Sequence, residues 1–118
     1  MMMVGLLIAL SAQADSQVYV GNHMSYVSGN ELFRQCEDKE PFGQTICAGY
    51  VAGAVDALEF ARGINPKAVA ICLPQNPAAE RGQLTDVVRA YLAAHPERRQ
   101  LGAATLTFMA LRQAFPCR

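Results

Sequence analysis

Residues 47–63 constrain the fold more than any other stretch, because they form a long, proline-free and periodic segment. Its larger apolar residues recur at spacings of three and four, the period of one face of an α-helix. They are Cys47, Tyr50, Val51, Ala54, Val55 and Leu58. We therefore predict a central helix over residues 45–62, with Thr45 as its N-terminal cap and Gly63 as the left-handed residue that ends it.

A second line of this helix carries Gly49, Gly53 and Phe60, with Asp56 beside them. A glycine inside a helix costs about 1 kcal/mol relative to alanine, so two of them one turn apart indicate that another backbone approaches. The pattern predicts close packing against a sister helix or against a second protomer. The same spacing occurs in membrane helices, but charges such as Asp56 and Arg62 exclude a spanning helix here.

Length and charge narrow the classes of protein to consider. A chain of 118 residues forms one domain. Its ten basic and ten acidic residues give a formal net charge of zero, without a block of like charge. Nothing in the charge pattern therefore favours nucleic acid or an anionic membrane as a partner.

The N-terminus has the pattern of a secretory signal peptide. Residues 1–10 are apolar, too few to span a bilayer, and Ala12-Gln13-Ala14 has the form of a cleavage site. We predict a signal peptide over residues 1–14, a mobile segment over 15–28 and a helical domain over 29–118. No Lys or Arg precedes the apolar run, so either the start codon is placed too late or the signal is atypical. A buried N-terminal strand or helix is the alternative.

Four cysteines agree with an oxidising compartment: Cys36, Cys47, Cys72 and Cys117. An even number in a short exported chain indicates two disulfides. Zinc binding is a weaker interpretation, because there is no CxxC pair and there are only two histidines. Of the three possible connectivities we favour Cys36–Cys47 and Cys72–Cys117, which by loop entropy contribute roughly 3 and 4 kcal/mol respectively.

Three further helices accompany the central one. Residues 31–36 form the first, with Ser28 or Asn30 as its cap. The third begins near Gly82 and ends at His95, which suits a C-terminal cap or a favourable contact with the helix dipole.

The fourth helix is predicted from Glu97 to about Phe115, and the short connection before it predicts a hairpin with the third. Its predicted buried residues are Leu101, Ala104, Phe108, Leu111 and Phe115. The predicted fold is an all-α, disulfide-stapled bundle of about four helices around the central helix.

The sequence contains no recognisable set of catalytic residues. It lacks the GxSxG, HExxH, P-loop and dinucleotide motifs, and each cysteine is better used in a disulfide than as a nucleophile. We predict no catalytic residue, no metal, no cofactor and no enzymatic activity.

The central stretch resembles the C-x-G-Y-x-x-G motif of the Rap/Tai immunity proteins, which protect bacteria from peptidoglycan amidase toxins delivered by type VI secretion. Residues 47–53 read Cys-Ala-Gly-Tyr-Val-Ala-Gly, and Asp56 follows. Further matching pieces are Cys72-Leu73-Pro74, Gln83-Leu84, Val87-Val88, Tyr91-Leu92, His95-Pro96-Glu97 and Ala114-Phe115-Pro116-Cys117. Together they cover roughly residues 29–117, although residues 75–82 depart from the threonine-capped turn of that family.

This resemblance implies an all-helical periplasmic protein, often a homodimer, that binds its cognate amidase and blocks the active-site cleft. Candidate contact surfaces are residues 37–43, residues 75–82 and the exposed ends of helices three and four. The candidate partner-binding residues are Glu37, Asp38, Glu40, Gln75, Asn76, Glu80 and Arg81.

Two other classes of protein are alternatives. A small periplasmic chaperone or stress protein would expose apolar surface after opening in acid, and two histidines with ten acids could supply the pH response. A secreted hydrolase is the third interpretation. The sequence argues against it, because it lacks a recognisable nucleophile or group of metal ligands.

Overall fold

A computed structural model describes residues 25–75 and 77–118, without the side chains of residues 77–81. Within these residues the chain forms four α-helices, which we number α1 (Gly29–Glu37), α2 (Pro41–Ile64), α3 (Pro77–Ala94) and α4 (Ala103–Ala114). Short 3-10 helices follow α2 (Pro66–Ala68) and α3 (Pro96–Arg98). The all-α prediction is confirmed. The predicted signal peptide and the predicted mobile segment up to residue 24 lie outside the described residues.

Helix α1 begins with a reciprocal cap. The Ser28 hydroxyl accepts a hydrogen bond from the Glu31 backbone N–H at 3.1 Å, and the Glu31 carboxylate accepts one from the Ser28 N–H at 3.1 Å. This capping box satisfies two donors that the first turn leaves unpaired. Of the two caps considered from the sequence, Ser28 is the one used.

Helix α2 begins four residues earlier than the sequence predicted. Pro41 occupies the first turn, where its fixed φ suits a helix and its missing N–H costs nothing. Thr45 therefore lies inside the helix, and its hydroxyl donates to the Pro41 carbonyl at 2.8 Å. The prediction of Thr45 as the cap was wrong.

The end of α2 also differs from the prediction. The helix continues through Gly63, and its C-terminal cap is Asn65, with φ −146° and ψ 95°. Because Asn65 precedes Pro66, steric conflict with the proline ring keeps it out of the helical region. The proline thus ends the helix, and the prediction of a left-handed Gly63 was wrong.

The third and fourth helices form the predicted hairpin, but both have other boundaries. Helix α3 begins at Pro77 rather than near Gly82, which lies inside it. The helix predicted from Glu97 is interrupted: a 3-10 turn covers Pro96–Arg98, and α4 begins only at Ala103.

Backbone pairing with the start of α1 explains this interruption. The Gly29 N–H donates to the Leu101 carbonyl at 2.8 Å, and the Ala103 N–H donates to the Val27 carbonyl at 2.8 Å. In a continuous helix, the backbone groups of residues 99–102 would form hydrogen bonds within the helix. Here they bond to the segment at the start of α1 instead. A distant segment thus sets the start of α4.

The core lies where all four helices meet. Its buried apolar residues are Leu32, Cys36, Cys47, Val51, Leu58, Ile71, Leu84, Val88, Tyr91, Leu92, Ala103, Leu106, Ala110 and Leu111. On α4 the buried line runs through Ala103, Leu106, Thr107, Ala110 and Leu111. Of the five residues predicted there only Leu111 is fully buried; the other four, Leu101, Ala104, Phe108 and Phe115, lie at the edge of the core.

Two disulfides join the cysteines in the pairs that the sequence favoured. Cys36–Cys47 ties the end of α1 to α2 and lies in the core. Cys72–Cys117 ties the segment after α2 to the C-terminus, and the Cys72 N–H donates to the Phe115 carbonyl at 2.8 Å beside it. Each disulfide thus closes an end of the bundle.

Arg99 holds α1 and α3 together, and we expect Arg99→Lys to lower the free energy of unfolding by about 1–2 kcal/mol. Its Nε donates to the Leu92 carbonyl at 2.7 Å, and its guanidinium lies 3.5 Å from the centre of the Phe33 ring. Lysine keeps the charge but loses the planar fork that caps the helix and stacks on the ring. Urea denaturation measures the change, with Arg34→Lys, an exposed position on α1, as the control. Equal effects at both positions would contradict this role.

Candidate partner-binding surfaces

A groove of about 510 Å³ runs between the start of α2 and the middle of α3. We call it the α2–α3 groove. One wall comprises Pro41, Gln44, Thr45 and Ala48, and the other comprises Gly82, Thr85, Asp86 and Arg89. The Cys36–Cys47 disulfide also lines the groove, and it ties the α2 wall to the end of α1.

Arg89 is the most prominent charged group along this groove. Its Nε lies 3.8 Å from a carboxylate oxygen of Glu37, and both side chains are 45 % exposed. A half-exposed pair of this kind adds little to stability, but it orients the guanidinium. A smaller cavity of about 250 Å³ adjoins it between Glu37, Asp86 and Ala93. An oriented, accessible arginine is a common anchor in protein interfaces.

The turn between α1 and α2 contains three acidic candidates from the sequence, and the structure gives them different roles. Glu37 faces the groove through its pair with Arg89. Asp38 supports the turn, because its carboxylate accepts the Glu40 N–H at 2.9 Å. The Glu40 side chain is exposed. Glu37 and Glu40 therefore stay accessible to a partner, whereas the Asp38 carboxylate is already engaged in a hydrogen bond that stabilises the turn.

Residues 75–82 reach the same groove only at their end. Gln75 is exposed, does not line the groove and donates through its side-chain amide to the Leu73 carbonyl at 3.3 Å. The other candidates of this segment, Asn76, Glu80 and Arg81, lie outside the described side chains. Gly82 lies on the wall opposite Pro41. The groove therefore brings together parts of two of the three surfaces that the sequence suggested.

The glycine line of α2 faces open space. At Gly49 and at Gly53, an added Cβ would have no described atom within 4 Å beyond the helix's own backbone. The sister helix predicted against this line is therefore absent from the described chain. Phe60, on the same line, is 73 % exposed.

Further large apolar side chains extend this line at both ends: Phe42 is 77 % exposed, Ile64 is 72 % exposed, and Ile46 is also exposed. At 100° per residue, Phe42, Ile46, Gly49, Gly53, Phe60 and Ile64 lie within an arc of about 60°. We call these six residues the α2 apolar face. Phe42, Ile46 and Ile64 were not predicted to belong to this line, although their spacing repeats the helical period once α2 is extended to Pro41.

Tyr50, between the two glycines, is tied to the N-terminal segment instead. Burial raises the pKa of its phenol, and a hydrogen bond with Ser25 lowers it in part. Tyr50 therefore packs at the edge of the core.

His95 has a structural environment at the end of α3. Its ring lies 4.2 Å from that of Tyr91, and its Nδ1 lies 3.1 Å from a Glu97 carboxylate oxygen. The backbone N–H of Glu97 and then the His95 ring hold the pKa of the Glu97 carboxyl below its usual value. These contacts order the junction between α3 and the following 3-10 turn.

No group of three or more His, Cys, Asp or Glu side chains among the described residues could hold a metal ion. None of the helices described above combines the length and the apolar character needed to cross a membrane.

Comparison with known proteins identifies the family of this chain. The family model described as Rap1a immunity proteins matches residues 28–117. The matched region starts at the Ser28 cap, includes α1 to α4 and ends at Cys117, so it contains both disulfides. No curated protein and no solved structure matches the chain.

Proposed function

Because the chain belongs to the Rap1a family of immunity proteins, we propose that it binds a cognate peptidoglycan amidase effector of a type VI secretion system. It inhibits this effector in the periplasm, after export by the predicted signal peptide, and protects the cell during competition between bacteria. The family implies a non-catalytic inhibitor. The match over residues 28–117 is the observation that carries the proposal.

Inhibition proceeds by occlusion: a folded protein fills the amidase cleft and keeps peptidoglycan out. The α2–α3 groove and the neighbouring turn are the surface that we assign to this contact. Arg89 is accessible and oriented there, and the Cys36–Cys47 disulfide fixes the α2 wall of the groove to α1. A rigid surface loses little conformational entropy on binding, which favours a tight complex.

The resemblance to this family also implies self-association, and we propose it for this chain. The groove and the α2 apolar face involve different residues of α2, so one chain can use both surfaces at once.

The direct test combines the purified, oxidised protein with the amidase encoded next to its gene. We expect a stable complex and stoichiometric loss of peptidoglycan hydrolysis. A pull-down from periplasm provides the same test without a chosen partner. The proposal fails if no amidase binds by either route. Capture of denatured clients in acid, without amidase binding, would instead support the chaperone alternative.

Charge reversal at Arg89 tests the assigned surface. We expect Arg89→Glu to weaken amidase binding by about 2 kcal/mol, or roughly 30-fold, because a carboxylate would then face Glu37 and remove the anchor. Inhibition curves measure the change. The fold should persist, since a half-exposed ion pair contributes less than about 1 kcal/mol.

The matched control is Arg112→Glu, at an exposed arginine of α4 that does not line the groove. It should inhibit as the natural chain does. If the Arg89 variant folds and inhibits equally well, the groove is not the contact surface.

A further inference from the structure

Another cavity lies near the opposite end of α2 from the α2–α3 groove. It has a volume of about 270 Å³ and opens between the end of α2, the segment after the first 3-10 helix and the second half of α4. We call it the α4 cavity. Leu58, its residue on α2, lies about 15 Å along the helix from Ala48 of the groove. The cavity is therefore separate from the surface assigned to the amidase.

The interior of the α4 cavity is apolar. Leu58 and Ile71 form its deepest part, because they are only 6 % and 4 % exposed. The partly buried side chains of Val69, Phe108 and Met109 pack against the core and complete the walls. The inside of the cavity therefore favours an apolar group over water.

Arg112 lies at the mouth of the α4 cavity. It belongs to the last turn of α4 and is exposed, whereas the apolar lining residues reach into the core. Its guanidinium has no ion-pair or hydrogen-bond partner among the described residues. Among the described side chains that line the cavity, it is also the only charged one. An unpaired cation thus stands where an apolar space meets solvent.

The charges around the cavity favour an anion. The charged residues of the two stretches that line it, residues 57–71 and 105–114, are Glu59, Arg62, Lys67 and Arg112. A carboxylate oxygen of the single acid, Glu59, lies 3.8 Å from the Arg62 guanidinium, which balances its charge. An anion that approaches Arg112 therefore meets a net positive field and little repulsion.

Contacts outside the cavity hold its walls in place. The Arg62 guanidinium donates a hydrogen bond to the Ile71 carbonyl, which ties the segment after the first 3-10 helix to the end of α2. On its other side, Ile71 pairs with Pro116 just after α4. The cavity is therefore formed before a ligand enters, and binding costs little conformational entropy of the protein.

We propose that the α4 cavity binds a small amphiphilic carboxylate, with its apolar part against Leu58 and Ile71 and its carboxylate on Arg112. An apolar cavity of about 150 Å³ holds benzene, so in proportion this one has room for about eleven non-hydrogen atoms. A fatty carboxylate such as octanoate has this size. Since one guanidinium lines the mouth, a monoanion suits it, and the planar fork of arginine matches a carboxylate.

Other occupants fit the cavity less well. An ordered water needs two to four polar partners, and the apolar lining does not supply them. A single turn of a partner's helix, about 10 Å wide and 5.4 Å long, fills more than the whole volume. The inference goes beyond the proposed function and does not depend on it.

Methionine methyl labelling tests the site, because Met109 lines the cavity. The Met109 signal is identified by its loss in Met109→Leu. In the oxidised natural chain, octanoate should shift this signal and saturate it, with a dissociation constant of roughly 0.1–1 mM for a ligand of this size. Acetate carries the carboxylate without the chain and should leave the signal unchanged.

A comparison of octanoate with octanol tests the role of Arg112. Octanol has the same chain without the charge, so Arg112→Gln should weaken octanoate about fivefold and leave octanol unchanged. Arg89→Gln is the matched control, at a half-exposed arginine of the α2–α3 groove, and should alter neither ligand.

The inference is overturned if octanoate produces no saturable shift of the Met109 signal up to about 10 mM, well above the expected dissociation constant. Equal weakening of octanoate by both arginine variants would also contradict it. So would a loss of octanol binding in Arg112→Gln, because the substitution would then act through packing and not through charge. These measurements contain no amidase, so their failure leaves the proposed function intact, and loss of amidase inhibition leaves the cavity intact.

Discussion

Replacing Cys72 and Cys117 with alanine is expected to lower the free energy of unfolding by about 4 kcal/mol, a large part of the stability of a small domain. The disulfide spans 45 residues, so its loss returns much entropy to the unfolded chain. It also anchors the short contact in which Ile71 pairs with Pro116. Urea denaturation of the natural chain and of the double-alanine variant measures the difference in the free energy of unfolding.

The second disulfide provides the comparison. Cys36–Cys47 spans only 11 residues, which predicts about 3 kcal/mol by the same entropy argument. Both of its cysteines are 1 % exposed, whereas Cys72 and Cys117 are exposed. A mild reductant followed by thiol labelling should therefore open Cys72–Cys117 first. Earlier labelling of Cys36 and Cys47, or a larger loss of stability on removing them, would contradict this order.

Apolar periodicity predicted the helices, because it reports which side of a segment leaves water. Val51 and Leu58 lie on the predicted face of α2, and both are buried. Helix ends were less predictable, because several residues could end or begin a helix. Gly63 and Asn65 both suit the end of α2, and only the steric effect of Pro66 on Asn65 decides between them.

Backbone contacts between segments distant in sequence could not be predicted. The interruption before α4 depends on the bond from Gly29 to Leu101, which joins residues far apart in the chain. The α2–α3 groove likewise depends on Pro41 and Gly82 lining the same space. Nothing in the local pattern of either segment indicates the other.

The glycine line was predicted as a close contact with a sister helix, yet the described chain leaves it open. Gly49 and Gly53 lower the helix propensity of α2, and no packing among the described residues accounts for them. The sequence also predicted the central helix to begin at residue 45, which excluded Phe42 from the pattern. With Phe42 and Ile64 included, the line becomes a long exposed apolar surface.

Gly29 is the position where added volume should do most harm, and we expect Gly29→Ala to lower the free energy of unfolding by about 3 kcal/mol. A Cβ there would overlap the Leu106 side chain and lie 2.7 Å from the Arg99 carbonyl oxygen. The Leu106 side chain can rotate, but this oxygen belongs to the backbone and accepts the Asn30 N–H at 2.8 Å. Relief therefore requires α1 to move away from the turn that precedes α4.

Gly82→Ala is the matched control, and its effect should have the opposite sign. Gly82 lies inside α3 with open space around its Cα, so alanine adds helix propensity worth about 1 kcal/mol without a clash. Urea denaturation of both variants separates the two causes, since propensity alone would stabilise α1 as well. If Gly29→Ala also stabilises the protein, the close approach of α1 to residues 99–101 does not hold the bundle together, and another contact must explain why α4 begins at Ala103.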